Sequence, residues 1–170
     1  MNEGYVSVSV RGDFIPEEFT ASVGLVPTQT WRKGERDIKQ NIPKLSGWCL
    51  SGRKVSGDFI DFFELSDELL LPLKDKCSIL SETARSNDAK ITVHMVIYFS
   101  LLDSVSTPAI GLSESAIMIL ERLGASLDID TYRNSLSEEK TEPNKSLEPT
   151  RVLVTDPAAQ APRQAPVRLI

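Results

Sequence analysis

The chain has 170 residues, 41% of them hydrophobic and 25% charged, a composition that suits one globular domain with a real core. Its net charge of -5 argues against generic affinity for nucleic acid, and no run approaches the roughly 20 apolar residues needed to span a bilayer. Met1 to Val10 lacks the basic start and apolar segment of a secretory signal, so a cytoplasmic chain is expected, with Cys49 and Cys77 as buried free thiols.

Tyr5 to Val10 alternates Val6, Val8 and Val10 with Ser7 and Ser9, the pattern of a half-buried strand. Pro16 suits a first helical position, Glu17 and Glu18 complement a helix start, and the helix runs to about Val23. Gly24 reads as the left-handed residue past its end, with Pro27 preventing continuation. Thr28 to Arg32 alternates again and pairs, across a polar connection from Gly34 to Ser46, with a compact strand over Gly47 to Ser51. The result is an antiparallel hairpin carrying Trp31 and Trp48.

Gly57 and Asp58 open the next helix, whose stripe of Phe59, Phe62, Phe63, Leu65, Leu69 and Leu70 is expected to face the core. Pro72 kinks it, and a second apolar line continues to about Arg85. Lys90 to Ser100 is the strongest strand and is expected near the sheet centre. Ser113 caps a helix that Gly124 ends, and Ala125 to Tyr132 supplies the last strand. The repeated strand, helix, glycine stop and strand predict an α+β fold of ferredoxin-like type. It is a variant with a mostly antiparallel sheet of about five strands, helices on one face, and the order β-α-β-β-α(kinked)-β-α-β. The globular domain is expected over residues 1–134. Half of the ten prolines fall in the last 36 residues, so a disordered Pro/Ala-rich tail is expected over 135–170.

Several motifs carry a resemblance. Gly12-Asp13-Phe14, Pro16-Glu17-Glu18, Gly24-Leu25-Val26-Pro27-Thr28, Trp31-Arg32-Lys33-Gly34-Glu35, Gly47-Trp48 and Leu127-Asp128-Ile129-Asp130-Thr131-Tyr132 together resemble domain-of-unknown-function family 4279. The resemblance covers about Gly4 to Tyr132 and implies a small, mostly bacterial, stand-alone domain. It brings no assigned activity and therefore no catalytic residues.

The charges are distributed unevenly. Between Trp31 and Gly57 seven basic residues face Glu35 and Asp37, whereas between Asp58 and Asn134 thirteen acidic residues face six basic ones. That asymmetry and the tryptophan pair favour a non-enzymatic binding module, of the immunity or accessory type, that meets a protein partner through the basic hairpin. Trp31, Arg32, Lys33, Trp48 and Asp13 are the candidate contacts, with no cofactor expected. Two arrangements stay open for the tryptophans: both packed against the inner face of the sheet, or one ring buried and the other rimming a groove. The rival reading is a small hydrolase or metal-dependent enzyme. It uses Asp128 and Asp130, which project to one face of a strand, with Asp13 or the single histidine, His94. Charged residues on the solvent side of an edge strand have the same pattern. No histidine pair, Cys-x-x-Cys or phosphate-loop motif is present.

Overall fold

The computed structural model describes residues 1–35 and 42–133. The expected tail over 135–170, and residues 36–41 of the polar connection, lie outside the described residues.

Alternation in the first strand sets the layers. In β1 (Asn2–Gly12), Val6, Val8 and Val10 are buried at 0–1% exposure on one face, and Tyr5, Ser7, Ser9 and Arg11 occupy the other. Helix α1 (Pro16–Val23) follows and ends at Gly24, whose φ of 64° is the left-handed conformation that glycine adopts at no steric cost. Strands β2 (Gln29–Trp31) and β3 (Ser46–Ser51) form the expected antiparallel hairpin, with Thr30 opposite Trp48 and Trp31 opposite Gly47. Strand β5 (Lys90–Phe99), helix α4 (Glu114–Leu123) and strand β6 (Ser126–Arg133) make a parallel βαβ unit at the other edge.

The sheet runs β2-β3-β1-β5-β6, antiparallel except between β5 and β6. The middle of the sheet is therefore β1, and β5 lies one place out from it. A sixth strand, β4 (Val55–Gly57), pairs with Asn2 to Gly4 and was not expected. It extends β3 along the same side of β1. β3 covers Ser7 to Gly12, Gly52 N–H donates to the Val6 carbonyl at 2.9 Å, and β4 covers the start. The polar Gly52-Arg53-Lys54 interruption hides that continuity from any periodicity.

The long helix begins later than Asp58. Asp61 caps α2 (Phe62–Leu70) by accepting from the N–H groups of Phe63 and Glu64, because the segment before it is tied into a short ladder between Ile60, Phe62 and Ala109. Phe59 consequently falls outside the helix at 59% exposure. Phe63 lies over Gly111 and is 40% exposed, so the core face of this stripe is Phe62, Leu65, Leu69 and Leu70. A 3-10 turn over Leu71–Lys76 containing Pro72 makes the expected kink, and α3 (Cys77–Ser86) follows.

The four α-helices of the described residues contribute to one core against the valine face of β1 and the Ile91, Val93, Met95 and Ile97 face of β5. Trp48 is completely buried in it, its ring 5.7 Å from that of Phe19. Gly4 is a close-approach position, since an added Cβ would sit 2.4 Å from Phe62 Cζ and 2.8 Å from the Val96 carbonyl. The loop after β5 is pinned by Asn2, which is 1% exposed. Its amide donates to the carbonyls of Asp58 and Ser106 at 3.0 and 2.8 Å and accepts from Ser100 N–H at 2.9 Å. Replacing Asn2 by Ala removes three part-buried hydrogen bonds. It should lower stability by about 1–3 kcal/mol, read as a fall in the urea midpoint at unchanged slope.

Candidate functional site

The sheet face opposite the helices is lined by cross-strand rows. In one row Ser51, Ser7, His94 and Asp128 are register neighbours on β3, β1, β5 and β6; in the next, Gln29, Cys49, Ser9, Thr92 and Ser126 are. Short serine side chains in the middle strand sink the floor. A groove of about 400 Å³ results, bounded by Tyr5, Arg11, Trp31, His94, Asp128 and Asp130.

His94 sits in this groove with its side chain 18% exposed. Its Nε2 lies 2.7 Å from Ser9 Oγ, and its Nδ1 lies 3.5 Å from Asp128 Oδ2. Asp130, two residues along the same strand face, completes a group of three donors whose ligand atoms all lie within 4.8 Å of one another. Donors about 2.0–2.2 Å from one cation stand roughly 3 Å apart when adjacent, so a modest rotation of the exposed Asp128 and half-buried Asp130 carboxylates closes the set. A serine, histidine and aspartate in line also resemble a nucleophile relay. Ser9, however, is only 3% exposed at the groove floor with its hydroxyl engaged by the imidazole, a placement that suits orienting His94 better than attacking a substrate.

At the other end Trp31 lies flat on β3. An added Cβ at Gly47 would meet its ring at 2.0–2.6 Å, so glycine is the residue that admits this ring position. The Arg11 guanidinium sits 5.8 Å from the Trp31 ring centroid. The tryptophans are divided, Trp31 rimming the groove and Trp48 in the core, where it presents no surface to a partner.

The remaining sequence candidates lie elsewhere. Asp13, in the turn after β1, pairs with Lys33 and does not line the groove. Arg32 pairs with Glu17 at 2.8 Å and approaches Glu35 at 3.9 Å. Arg53 forms a two-toothed pair with Glu68, and Lys54 meets Glu3 at 2.6 Å. Hydrogen bonds from Arg32 and Arg53 hold the Glu17 and Glu68 carboxyls below their usual range. The structure brings His94 to Asp128 and Asp130, and leaves Asp13, Arg32 and Lys33 outside.

Sequence reasoning missed Tyr5, Ser7, Ser9, Arg11, Cys49 and Ser51 as groove residues. The alternation of β1 marks its serines as one face, but which strands flank that face is a matter of topology. Burial, reinforced by the nearby Tyr98, raises the Tyr5 phenol above its ordinary 10.0. Stability tied to the neutral phenol is full below 10.0 and is lost as pH rises through the raised value. Tyr5→Phe should therefore lose less stability than the wild type between neutral pH and pH above 10.0, compared by urea unfolding. Gly47→Ala should push the Trp31 ring off the sheet, red-shifting tryptophan emission while Trp48 stays buried.

No curated protein and no solved structure matches the chain. Residues 2–134 match the family model described as Domain of unknown function (DUF4279), the span that carries both the sheet and the groove. The chain belongs to the DUF4279 family.

Proposed function

We propose that the groove is a metal-dependent hydrolytic site in which His94, Asp128 and Asp130 hold one divalent cation. The observation that carries the reading is the convergence of one imidazole and two carboxylates, from two neighbouring parallel strands, inside a polar groove. One nitrogen and two oxygen donors suit a first-row divalent ion such as Mn²⁺ or Zn²⁺. With Nδ1 turned to the carboxylates, Nε2–H donates to Ser9 Oγ, the outer hydrogen bond that fixes tautomer and ring orientation in histidine ligands. A cation in such a place polarises a carbonyl or phosphoryl oxygen and lowers the pKa of bound water. Three protein donors leave positions for water and substrate.

A contact surface at the basic hairpin, with a protein partner, is the second reading. Trp31 at the groove rim supports it. The ion pairs of Arg32, Lys33, Arg53 and Lys54 weaken it, because each cation must leave an internal carboxylate before meeting an external one. For the fold, the order β2-β3-β1-β5 with helical crossovers after β1 and before β5 supports a ferredoxin-like unit that α4 and β6 extend at one edge.

Titration of chelator-stripped protein with Mn²⁺ and Zn²⁺ by calorimetry should give one site per chain. His94→Ala and Asp128→Asn should each weaken it by about tenfold or more. No stoichiometric binding by the wild type, or equal binding by His94→Ala, would overturn the reading.

A further inference from the structure

We infer that the Arg11–Trp31 end of the groove is a binding subsite for a terminal oxyanion, a carboxylate or phosphate, on the molecule that the metal end acts upon. The inference rests on the proposed metal site for its second half. The subsite itself stands on separate observations.

Among the described residues, Arg32, Lys33, Arg53 and Lys54 each form an ion pair, whereas no carboxylate pairs with Arg11. The Arg11 guanidinium instead meets the Trp31 ring, and that ring is held in place because Gly47 has no side chain beneath it. A guanidinium held against an indole keeps the N–H fork in its own plane available, and a planar oxyanion accepts from two of those groups at once. Arg11 is exposed yet lines the same groove as His94, Asp128 and Asp130, so the groove is basic at one end and acidic at the other. Ser9, Cys49 and Gln29 provide an uncharged polar floor between them.

The spacing sets the size of the ligand. Ser7 is the register partner of His94, and Arg11 is four residues further along β1, roughly 13 Å at strand rise. Side-chain reach shortens that gap, so the ligand is a small molecule on the order of 10 Å long, anionic at the end distant from the reacting group. A bare ion does not reach both ends.

The test uses the full chain in the presence of chelator, titrated separately with inorganic phosphate and with succinate, against sodium chloride at matched ionic strength. The readouts are the Arg11 Nε–H signal in a proton–nitrogen spectrum and tryptophan emission. Saturable shifts of both, specific to one or both oxyanions, are expected, and which anion gives them separates phosphate from carboxylate ligands. Arg11→Gln should weaken binding by about tenfold or more and leave Mn²⁺ binding intact, which also shows that the variant folds. His94→Ala should do the reverse. Anion binding without metal binding would remove the metal site and keep the subsite. Metal binding with no saturable anion response, or equal anion affinity in Arg11→Gln, would overturn the subsite.

Discussion

Strand β1 is hydrogen-bonded along nearly its whole length, to β5 on one side and to β3 and β4 on the other, and everything else in the domain depends on that double pairing. A strand held on both sides has no freedom of register, and a slip of one residue would exchange Val6, Val8 and Val10 with Ser7 and Ser9. The helices need the valines; the groove needs the serines. Core and candidate site are one alternation seen from opposite faces, and the buried Phe62, in contact with Gly4, locks the valine face to α2.

That alternation is legible in the sequence, as are the glycine stops of α1 and α4, the Trp31–Trp48 hairpin and the break at Pro72. Each rests on local backbone or side-chain rules that act over a few residues. What was not legible depends on partners distant in the chain. The start of α2 is set by hydrogen bonds to Ala109, which moves the cap from Asp58 to Asp61. Strand β4 exists because it continues the edge of β3 against Asn2 to Gly4. At the site, Asp128 and Asp130 could be placed on one strand face from spacing alone. The approach of His94 followed only from β5 and β6 being parallel neighbours, and the Ser9 contact only from β1 being the other neighbour.

The charge asymmetry along the chain has a similar resolution. Counted by segment, the region from Trp31 to Gly57 is basic, yet four of its described cations, Arg32, Lys33, Arg53 and Lys54, reach across to Glu17, Asp13, Glu68 and Glu3, which lie outside that segment. Segment charge is therefore not surface charge: the fold brings opposite charges from distant positions together, and exposed pairs of this kind are worth little to stability. None of these paired cations lines the groove, where Arg11 is the one Arg or Lys among the lining residues.

The motifs through which the family is recognised divide along the same line. Gly12 closes on Ala89, Gly24 and Gly34 adopt positive φ, and Trp48 fills the core, so these residues are accounted for by the scaffold. Three motifs reach the open face. Gly47 gives up its side chain so that Trp31 can lie on the sheet, which adds nothing to the helix-side core and positions an aromatic platform beside Arg11. The Leu127 to Tyr132 motif puts Asp128 and Asp130 on the groove side, while Leu127 and Ile129 remain 39% and 44% exposed on the other. On this strand the apolar residues are poorly buried, while the aspartates converge on the chain's single histidine.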